Sequence, residues 1–573
     1  MPVHNTDIAT CFNTLADLLE IEGANTFRVR AYRNAARTIA GLPQRAADMV
    51  AEGEDLSSLP GIGKDLAEKV AEIVTTGKLQ LLQEVQSRTL PELTTLLHLS
   101  GMGPKRVQAL HQELGIGSLD ELEKAARKGK LRQLPGFGKQ TEQRILEALE
   151  QQKGQAQRIK LIAAEEPARA LETYLQGVKG VQELVIAGSY RRRQETIGDL
   201  DILVTCKKDC QVMERFVNYE EVHHVMARGT TRSTVVLQSG LQVDLRVVPQ
   251  VSYGAALHYF TGSKAHSIAV RKLGQNKQLK INEYGVFRGN KRIAGQSEEE
   301  VYAQVDLPYI EPELREAQGE IEAAQHHKLP TLVTLEDIRG DLHAHTNATD
   351  GRNRLEEMAQ AAQAKGYQYL AITDHSQRLS MANGLDAKRL AQQIDAIDRL
   401  NAKLNGFVLL KAIEVDILED GSLDLPDDIL KALDFTVCSV HSKFQLSQQR
   451  QTERIMRAMD NPYFTILGHP TGRLIQERAP YDVNMERLLQ AARQRGCFLE
   501  LNAQPARLDP PAMYCKMAKE MGVKMAIASD AHSVNDLDLM RFGIGQARRG
   551  WLEADDVINT RHWNALQKLL TRQ

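Results

Sequence analysis

A chain of 573 residues exceeds what one hydrophobic core supports and predicts about three to five domains. Its 42% hydrophobic and 25% charged residues are ordinary for a globular protein, and the net charge of −2 is spread evenly, so bulk basicity offers no argument for nucleic acid. No apolar run of about 18 residues exists, which argues against a membrane helix and a membrane partner. The N-terminal stretch MPVHNTDIATCFNTLADLLE patterns as an amphipathic helix, not a secretory leader. Six scattered cysteines, with Cys206 and Cys210 the one close pair, complete no zinc ribbon and suit a reducing cytoplasm.

Within the first 150 residues one pattern occurs three times: LPGIGKDLAEKV at 59–70, LSGMGPKRVQAL at 99–110 and LPGFGKQTEQRIL at 134–146. Each places Gly-x-Gly between an apolar residue and an amphipathic helical run. Two glycines at that spacing permit a tight turn, and the following helix offers unpaired N–H groups that suit a phosphate. One copy would be an ordinary turn between helices; three with the same framing argue for a purpose. The pattern resembles the helix-hairpin-helix motif, which grips DNA backbone without reading its sequence. That resemblance implies DNA contacts at Gly61, Gly63, Gly101, Gly103, Gly136 and Gly138. It also implies a monovalent cation on the carbonyls of Leu59 and Ile62, and of Leu99 and Met102.

At 184–204 the chain runs LVIAGSYRRRQETIGDLDILV. An apolar strand enters Gly188-Ser189, a basic cluster follows, and Gly198-Asp199-Leu200-Asp201 opens a second strand. Residues two apart on a strand share a face, so Asp199 and Asp201 project together while Leu200 faces the core. Such neighbouring carboxylates repel unless cations sit between them. A third carboxylate, Asp244, lies in the apolar strand LQVDLRVVP, where a buried acid needs a partner.

This segment resembles the nucleotidyltransferase fold and, more narrowly, the polymerase β-like X-family DNA polymerases. The likeness continues through HYFTGSKAHSIAVR at 258–271, INEYGVF at 281–287 and SEEEVYAQVDLPYIEPELRE at 297–316. It implies that Asp199, Asp201 and Asp244 are catalytic and hold two Mg²⁺ or Mn²⁺ ions. By the same likeness Gly188, Ser189, Arg192 and Gly198 hold the nucleotide phosphates, Tyr259, Phe260 and Gly262 line the sugar pocket, and Arg271 lies near the template. Two positions depart from the family pattern: Ser267 stands where an Asn touches the incoming base, and Gln242 where an Arg contacts the primer end. Lys69 matches the family's Schiff-base lysine for 5′-deoxyribose-phosphate removal, with Tyr32 as its companion, although its expected supporting lysine is Asp65. Lyase activity is therefore a secondary expectation.

After a polar stretch at 317–338, seven apolar runs alternate with helical ones: IRGDLHAHT, YQYLAITDHS, FVLLKAIEVDI, DFTVCSVHS, FTILGHP, CFLELNAQ and KMAIASDAH. That alternation predicts a parallel β/α barrel, whose functional side chains gather at the C-terminal strand ends. All runs but the sixth end in potential ligands: His343, His345, Asp350, His375, Glu414, His441, His469, Asp530 and His532. Seven of the 16 histidines lie in 331–573 and six of those seven end a predicted strand, which chance explains poorly. Imidazoles mixed with carboxylates suit Zn²⁺, Mn²⁺ or Fe²⁺, and so many donors imply two or three ions. The segments DLHAHT, TDHS, SVHS, GHP and SDAH resemble the PHP phosphoesterase family, a distorted seven-stranded barrel, with every implied ligand position filled. Asp374 is expected to orient its neighbour His375.

The expected architecture is multidomain: N-terminal helical helix-hairpin-helix domains, an α/β nucleotidyltransferase palm with thumb, and a C-terminal distorted (β/α)7 PHP barrel. Expected boundaries are a lyase-like helical domain at 1–85, fingers with the second and third hairpins at 86–155, palm at 156–255, thumb at 256–316, linker at 317–338 and barrel at 339–573. The resemblance implies a DNA polymerase that fills short gaps in repair, with metal-dependent 3′–5′ exonuclease or 3′-end processing in the barrel, extending to cutting at abasic sites. Its substrates are gapped or nicked duplex DNA and dNTPs, and the expected state is a monomer in the cytoplasm, on the nucleoid. Two alternatives are a repair scaffold with an inactive barrel, and a nucleotidyltransferase fused to a small-molecule phosphatase. The intact ligand set speaks against the first and the three hairpins against the second.

Overall fold

The computed structural model describes residues 5–40, 46–59, 61–88, 96, 104–134, 137–138, 141–143, 145–146, 149, 158–208 and 210–570. The chain divides into two compact bodies: residues 1–158 with 317–319, and the remainder. No helix among the described residues is long and apolar enough to cross a membrane.

The first body is helical. Helices Asn5–Ile21, Thr26–Ala40 and Lys64–Thr76 enclose a core of Ile8, Phe12, Leu15, Leu19, Tyr32, Val70 and Ile73. Helices Pro104–Leu114 and Leu119–Arg127 enclose another, with Val107, Leu110, Leu122, Leu131, Phe137 and Ile145. The first and third hairpins share one hydrogen-bond scheme. A 3₁₀ turn (Leu56–Ser58, Leu131–Gln133) precedes each. Ile62 N–H donates to Leu59 O at 3.1 Å, as Phe137 N–H does to Leu134 O at 3.1 Å. Ala67 N–H then donates to Gly63 O at 2.9 Å, as Glu142 N–H does to Gly138 O at 2.9 Å. Gly61 has φ +78°, a left-handed conformation that a side chain would disfavour. The repeat seen in the letters is thus a repeat of geometry. The second turn, with Leu99, Gly101, Met102 and Gly103, and Gly136 of the third, lie outside the described residues.

The second body begins with a five-stranded sheet ordered Val181–Ile186, Asp199–Cys206, Gln242–Val247, Arg232–Leu237, Val222–Ala227. Its one parallel pair, Asp199–Cys206 with Gln242–Val247, puts Asp201 directly opposite Asp244 and Asp199 opposite Gln242. Helix Leu161–Gln176 covers the other face through Leu161, Ala164, Ala168, Leu171 and Leu175, packed on Leu200, Ile202 and Val204. Helices Tyr253–Thr261 and Lys264–Asn276 and a three-stranded antiparallel sheet follow. Buried Glu298 joins the two parts, accepting from Arg191 at 2.7 Å and from Arg315. Burial alone would raise the Glu298 carboxyl, but the Arg315 and Arg191 guanidiniums hold it at about 2.

The seven C-terminal runs carry parallel strands as expected, the third split into Val408–Lys411 and Glu414–Asp416. The split is a handover: the first half pairs with Tyr369–Ile372, the second with Val437–Ser439. His345 N–H donating to Ala531 O at 2.8 Å, and Ala531 N–H to His343 O at 3.3 Å, joins the first run to the last. Inward faces follow the two-residue period. Tyr369 and Ala371, Leu410 and Ala412, Phe435 and Val437, with Phe498 and Ala526, pack together in one apolar cluster. The same period leads on to His375, Glu414, His441, Glu500 and Asp530 toward the C-terminal ends.

The barrel docks on the five-stranded sheet. Arg473 grips Glu195 with two hydrogen bonds of 2.8 and 3.1 Å, and Gln546 donates to the same carboxylate at 2.6 Å. Arg541 pairs with Glu165 at 2.7 Å and Arg548 with Glu313 at 2.7 Å. Between these polar clamps, Ile475, Leu508 and Phe542 of the barrel join the apolar cluster of the sheet itself.

Candidate metal centres

The sheet's carboxylate site is built around a close approach. Strand Val181–Ile186 ends at Ala187, whose N–H donates to Asp201 O at 2.7 Å. Gly188 follows with φ +60°, and a Cβ there would lie 2.6 Å from Asp201 Oδ2. Only glycine lets the turn carrying Ser189 pass over the carboxylate. Burial, then the neighbouring charges of Asp199 and Asp244, push the Asp201 carboxyl up to about 7. A buried carboxyl raised by two neighbouring acids fits a site for divalent cations. Asp244, 4% exposed, is held by three donors: Thr234 Oγ1 at 2.6 Å and Arg232 Nη2 at 3.1 Å to Oδ1, and Gln242 Nε2 at 3.0 Å to Oδ2.

The other residues singled out from sequence surround this triad unequally. Ser189 lies on the short helix Gly188–Arg191, and Gly198 leads directly into strand Asp199–Cys206. Arg192 is engaged by Glu316 at 2.7 Å and the Thr261 carbonyl at 2.7 Å. Tyr259 and Phe260 meet edge to face at 5.0 Å, and Arg246 stacks on Phe260 at 4.4 Å. A Cβ on Gly262 would come within 2.9 Å of His266 and 3.1 Å of Ser267 Oγ, itself buried without a hydrogen-bond partner. Arg271 donates to Ser267 O one turn back at 3.2 Å. In the helical body Lys69 is ion-paired with Asp65, and Tyr32 is a core residue against Phe12.

At the barrel mouth the nine predicted ligands converge. Three donor groups form: His345, Asp350, His375 and His532; His343, His345 and Asp530; His375, Glu414 and His441, with donor atoms in each within 4.8 Å of one another. His345 and His375 are each shared by two groups, so the three form a chain. His469, the ninth, approaches Glu414 Oε1 at 3.0 Å. Glu414 thereby meets five imidazoles: His375 at 2.7 Å, His469 at 3.0 Å, His441 at 3.2 Å, His343 at 3.5 Å and His345 at 3.7 Å. His469 and Asp530 adopt positive φ, +24° and +51°, strain that a site can hold only when its surroundings impose it.

The electrostatics call for cations. Burial alone would lower the imidazoles, yet the Glu414 and Asp350 carboxylates hold His375 up at about 10, and Glu414 with Asp416 holds His441 up at about 9. Burial and the neighbouring imidazole His375 instead press His345 down to about 4. The Nδ1 atoms of His345 and His469 are buried without a hydrogen-bond partner. Lone pairs left free at the centre of an acidic cluster fit metal ions, whose binding displaces the protons held there.

Three supporting acids complete or correct the expectation. Glu500, in the sixth run, accepts from His343 Nδ1 at 2.6 Å and from His469 N–H at 2.6 Å. Looking only at the end of that run misses it; the signal was its position two after Phe498, on the inward face. Asp416, two after Glu414, meets His441 Nδ1 at 3.0 Å. Asp374 does not orient His375. It accepts from Thr346 N–H at 2.8 Å, Thr346 Oγ1 at 2.6 Å, Thr349 Oγ1 at 2.5 Å and Gln393 Nε2 at 2.5 Å, fixing the loop that presents Asp350. Adjacent strand residues face opposite sides, so Asp374 turns away where His375 turns in. Glu500→Gln is expected to weaken metal retention about 10–100-fold by loosening His343, measured as metal content after graded chelation. Wild-type retention would refute that role.

Family models match along most of the chain: a helix-hairpin-helix domain at 3–79, a SAM-like helix-hairpin-helix tandem at 93–151, DNA polymerase beta palm at 163–256, DNA polymerase beta thumb at 256–316 and a PHP domain at 341–504. The DNA polymerase/3′-5′ exonuclease PolX of Bacillus subtilis (strain 168) is 38% identical over 574 residues, covering 100% of both chains. A probable phosphatase of Thermoanaerobacter sp. (strain X514) is 33% identical over 231 residues, 38% of this chain and 89% of that one. Another, from Caldanaerobacter subterraneus subsp. tengcongensis, is 32% identical over 210 residues, 34% of this chain and 77% of its own. Full-length identity, the matched palm and thumb, and the matched barrel agree: this chain belongs to the X-family DNA polymerases that carry a C-terminal PHP domain.

Proposed function

We propose that this chain is a repair DNA polymerase and 3′–5′ exonuclease, filling short gaps at the palm and trimming or unblocking 3′ ends at the barrel. The observation that carries the reading is the presence, in one chain, of two separate acid-rich centres. One sits on a sheet beside a glycine turn, the other is ringed by imidazoles. The three hairpins account for DNA as the common substrate, since neither chemistry needs them on a small molecule.

Asp199, Asp201 and Asp244 would hold two Mg²⁺ or Mn²⁺ ions, and the nine barrel donors two or three Zn²⁺, Mn²⁺ or Fe²⁺ ions. Ions at such centres supply a stronger oxygen nucleophile and neutralise charge on the phosphate. The chain's own residues orient the reactants. Gly188, Ser189 and Gly198 offer backbone and hydroxyl donors to the triphosphate. Arg192 joins them by exchanging Glu316 for phosphate, a stronger bidentate partner. Tyr259, Phe260 and Gly262 form the wall for the sugar, and Arg271 borders the template. Gly61, Gly63 and Gly138 hold DNA backbone from the hairpins, together with Gly101, Gly103 and Gly136, and a monovalent cation suits the carbonyls of Leu59 and Ile62, and of Leu99 and Met102. The domain limits 1–85, 86–155, 156–255, 256–316 and 339–573 follow the same division of labour. Lyase action by Lys69 would require its amine to leave the ion pair with Asp65.

The test is a pair of substrates given to the full chain with Mg²⁺ or Mn²⁺. A one-nucleotide gapped duplex with dNTPs should gain a single nucleotide. A recessed or 3′-phosphoglycolate duplex without dNTPs should shorten or lose its block. Absence of nucleotide addition with either ion would overturn the polymerase half, and intact 3′ ends the nuclease half.

A further inference from the structure

One face of the five-stranded sheet carries more than the carboxylate triad. The registers Asp201↔Asp244↔Thr234 and Arg246↔Arg232 put Asp199, Asp201, Gln242, Asp244, Arg246, Thr234 and Arg232 on the same side. Its two arginines differ. Arg246 stacks on Phe260 at 4.4 Å, with its Nε buried and unbonded. Arg232 stays 54% exposed, and reaches from the neighbouring strand to place Nε and Nη2 at 3.2 and 3.1 Å from Asp244 Oδ1. Its guanidinium therefore lies at the third carboxylate with most of its donors still facing solvent.

We propose that Arg232 is a primer-strand contact, taking the phosphate next to the reacting 3′ end and supplying the positive charge that position 242 lacks. The inference rests on the polymerase reading of this site. Three observations support it. Gln242 is neutral and spends its amide on Asp244 Oδ2 at 3.0 Å, so it has no charge to offer DNA. Arg232 and Gln242 touch opposite oxygens of one carboxylate, so their side chains converge on the same space. Thr234 donates to Oδ1 at 2.6 Å and keeps Asp244 oriented when the guanidinium leaves. Without DNA, Arg232 balances the charge of Asp244. When a cation and a primer arrive, the same guanidinium, anchored among the described residues by Asp244 alone, swings to the phosphate.

The test measures affinity of the full chain for a one-nucleotide gapped duplex by anisotropy over a range of KCl, alongside KM for DNA and for dNTP. Arg232→Ala should weaken DNA binding about tenfold. It should reduce the slope of log affinity against log salt by about 0.9, the signature of one lost phosphate contact, and leave the KM for dNTP unchanged. Arg232→Lys should keep the slope, and Gln242→Arg in the Arg232→Ala background should restore it. An unaltered slope, or a fall in kcat alone, would overturn the proposal and leave Arg232 a charge partner of Asp244 only. Binding is read independently of extension, so wild-type protein that binds but adds no nucleotide contradicts the polymerase reading instead.

Discussion

Glu414→Gln is expected to lose 3′ processing by more than about 100-fold while gap filling persists. Five imidazoles stand within 3.7 Å of this carboxylate, and among the described residues Asp530 and Asp350 meet three each. Its pKa is driven well below the ordinary range because, against the cost of burial, His375, His441 and His343 surround it. The amide has the same shape, so packing survives. It carries no charge, so it offers a cation little, and His375 and His441 lose the partner that holds them up. Removing a residue that merely supports a ligand costs about 10–100-fold, and Glu414 itself belongs to a donor group, so the loss should exceed that range. Metal content per chain should fall in parallel. A variant that trims 3′ ends at the wild-type rate would show that the five-imidazole cluster is structural.

Gly188→Ala should do the converse, lowering single-turnover gap filling about 100-fold and leaving 3′ trimming untouched. The added Cβ would lie 2.6 Å from Asp201 Oδ2, nearer than any carbon–oxygen contact tolerates, at a backbone φ of +60°. Left-handed backbone costs an alanine about 1–2 kcal/mol. The larger effect is displacement of Asp201, since a shift of about 1 Å in a reacting constellation costs around 100-fold. Gly240→Ala is the control: it too has positive φ, but its Cβ would meet nothing within 4 Å. Equal activity in the two variants would refute the close-approach argument.

How much of this was legible beforehand depends on the range of the interaction. The Asp199–Asp201 pair followed from a two-residue period. Their meeting with Asp244 required the parallel pairing of strands some forty residues apart, which only the likeness to a known fold supplied. The seven barrel runs and their terminal ligands were legible because each strand's inward face turns from apolar to ligand-bearing within the run itself. The break at Ala412–Ile413 was not, because it reflects which neighbour each half pairs with. Asp374 misled for the same reason that His375 was found: sequence adjacency puts two strand residues on opposite faces. Contacts set by docking were invisible. Glu195 and Arg473 lie 278 positions apart, and nothing in the QET or TGR segments announces that they clasp. Nor does the RRR segment at 191–193 announce that Arg191 and Arg192 are each met by a glutamate more than a hundred residues downstream.

On the proposed function, one chain carries two independent metal centres with opposite effects on a 3′ end. A single time course tests it: gapped duplex with dNTPs and recessed duplex without, treated with wild type, Asp199→Ala and His343→Ala. Asp199→Ala should lose gap filling and keep 3′ trimming, and His343→Ala should lose trimming and keep gap filling. Trimming that survives in His343→Ala, or that disappears with Asp199→Ala, would contradict it.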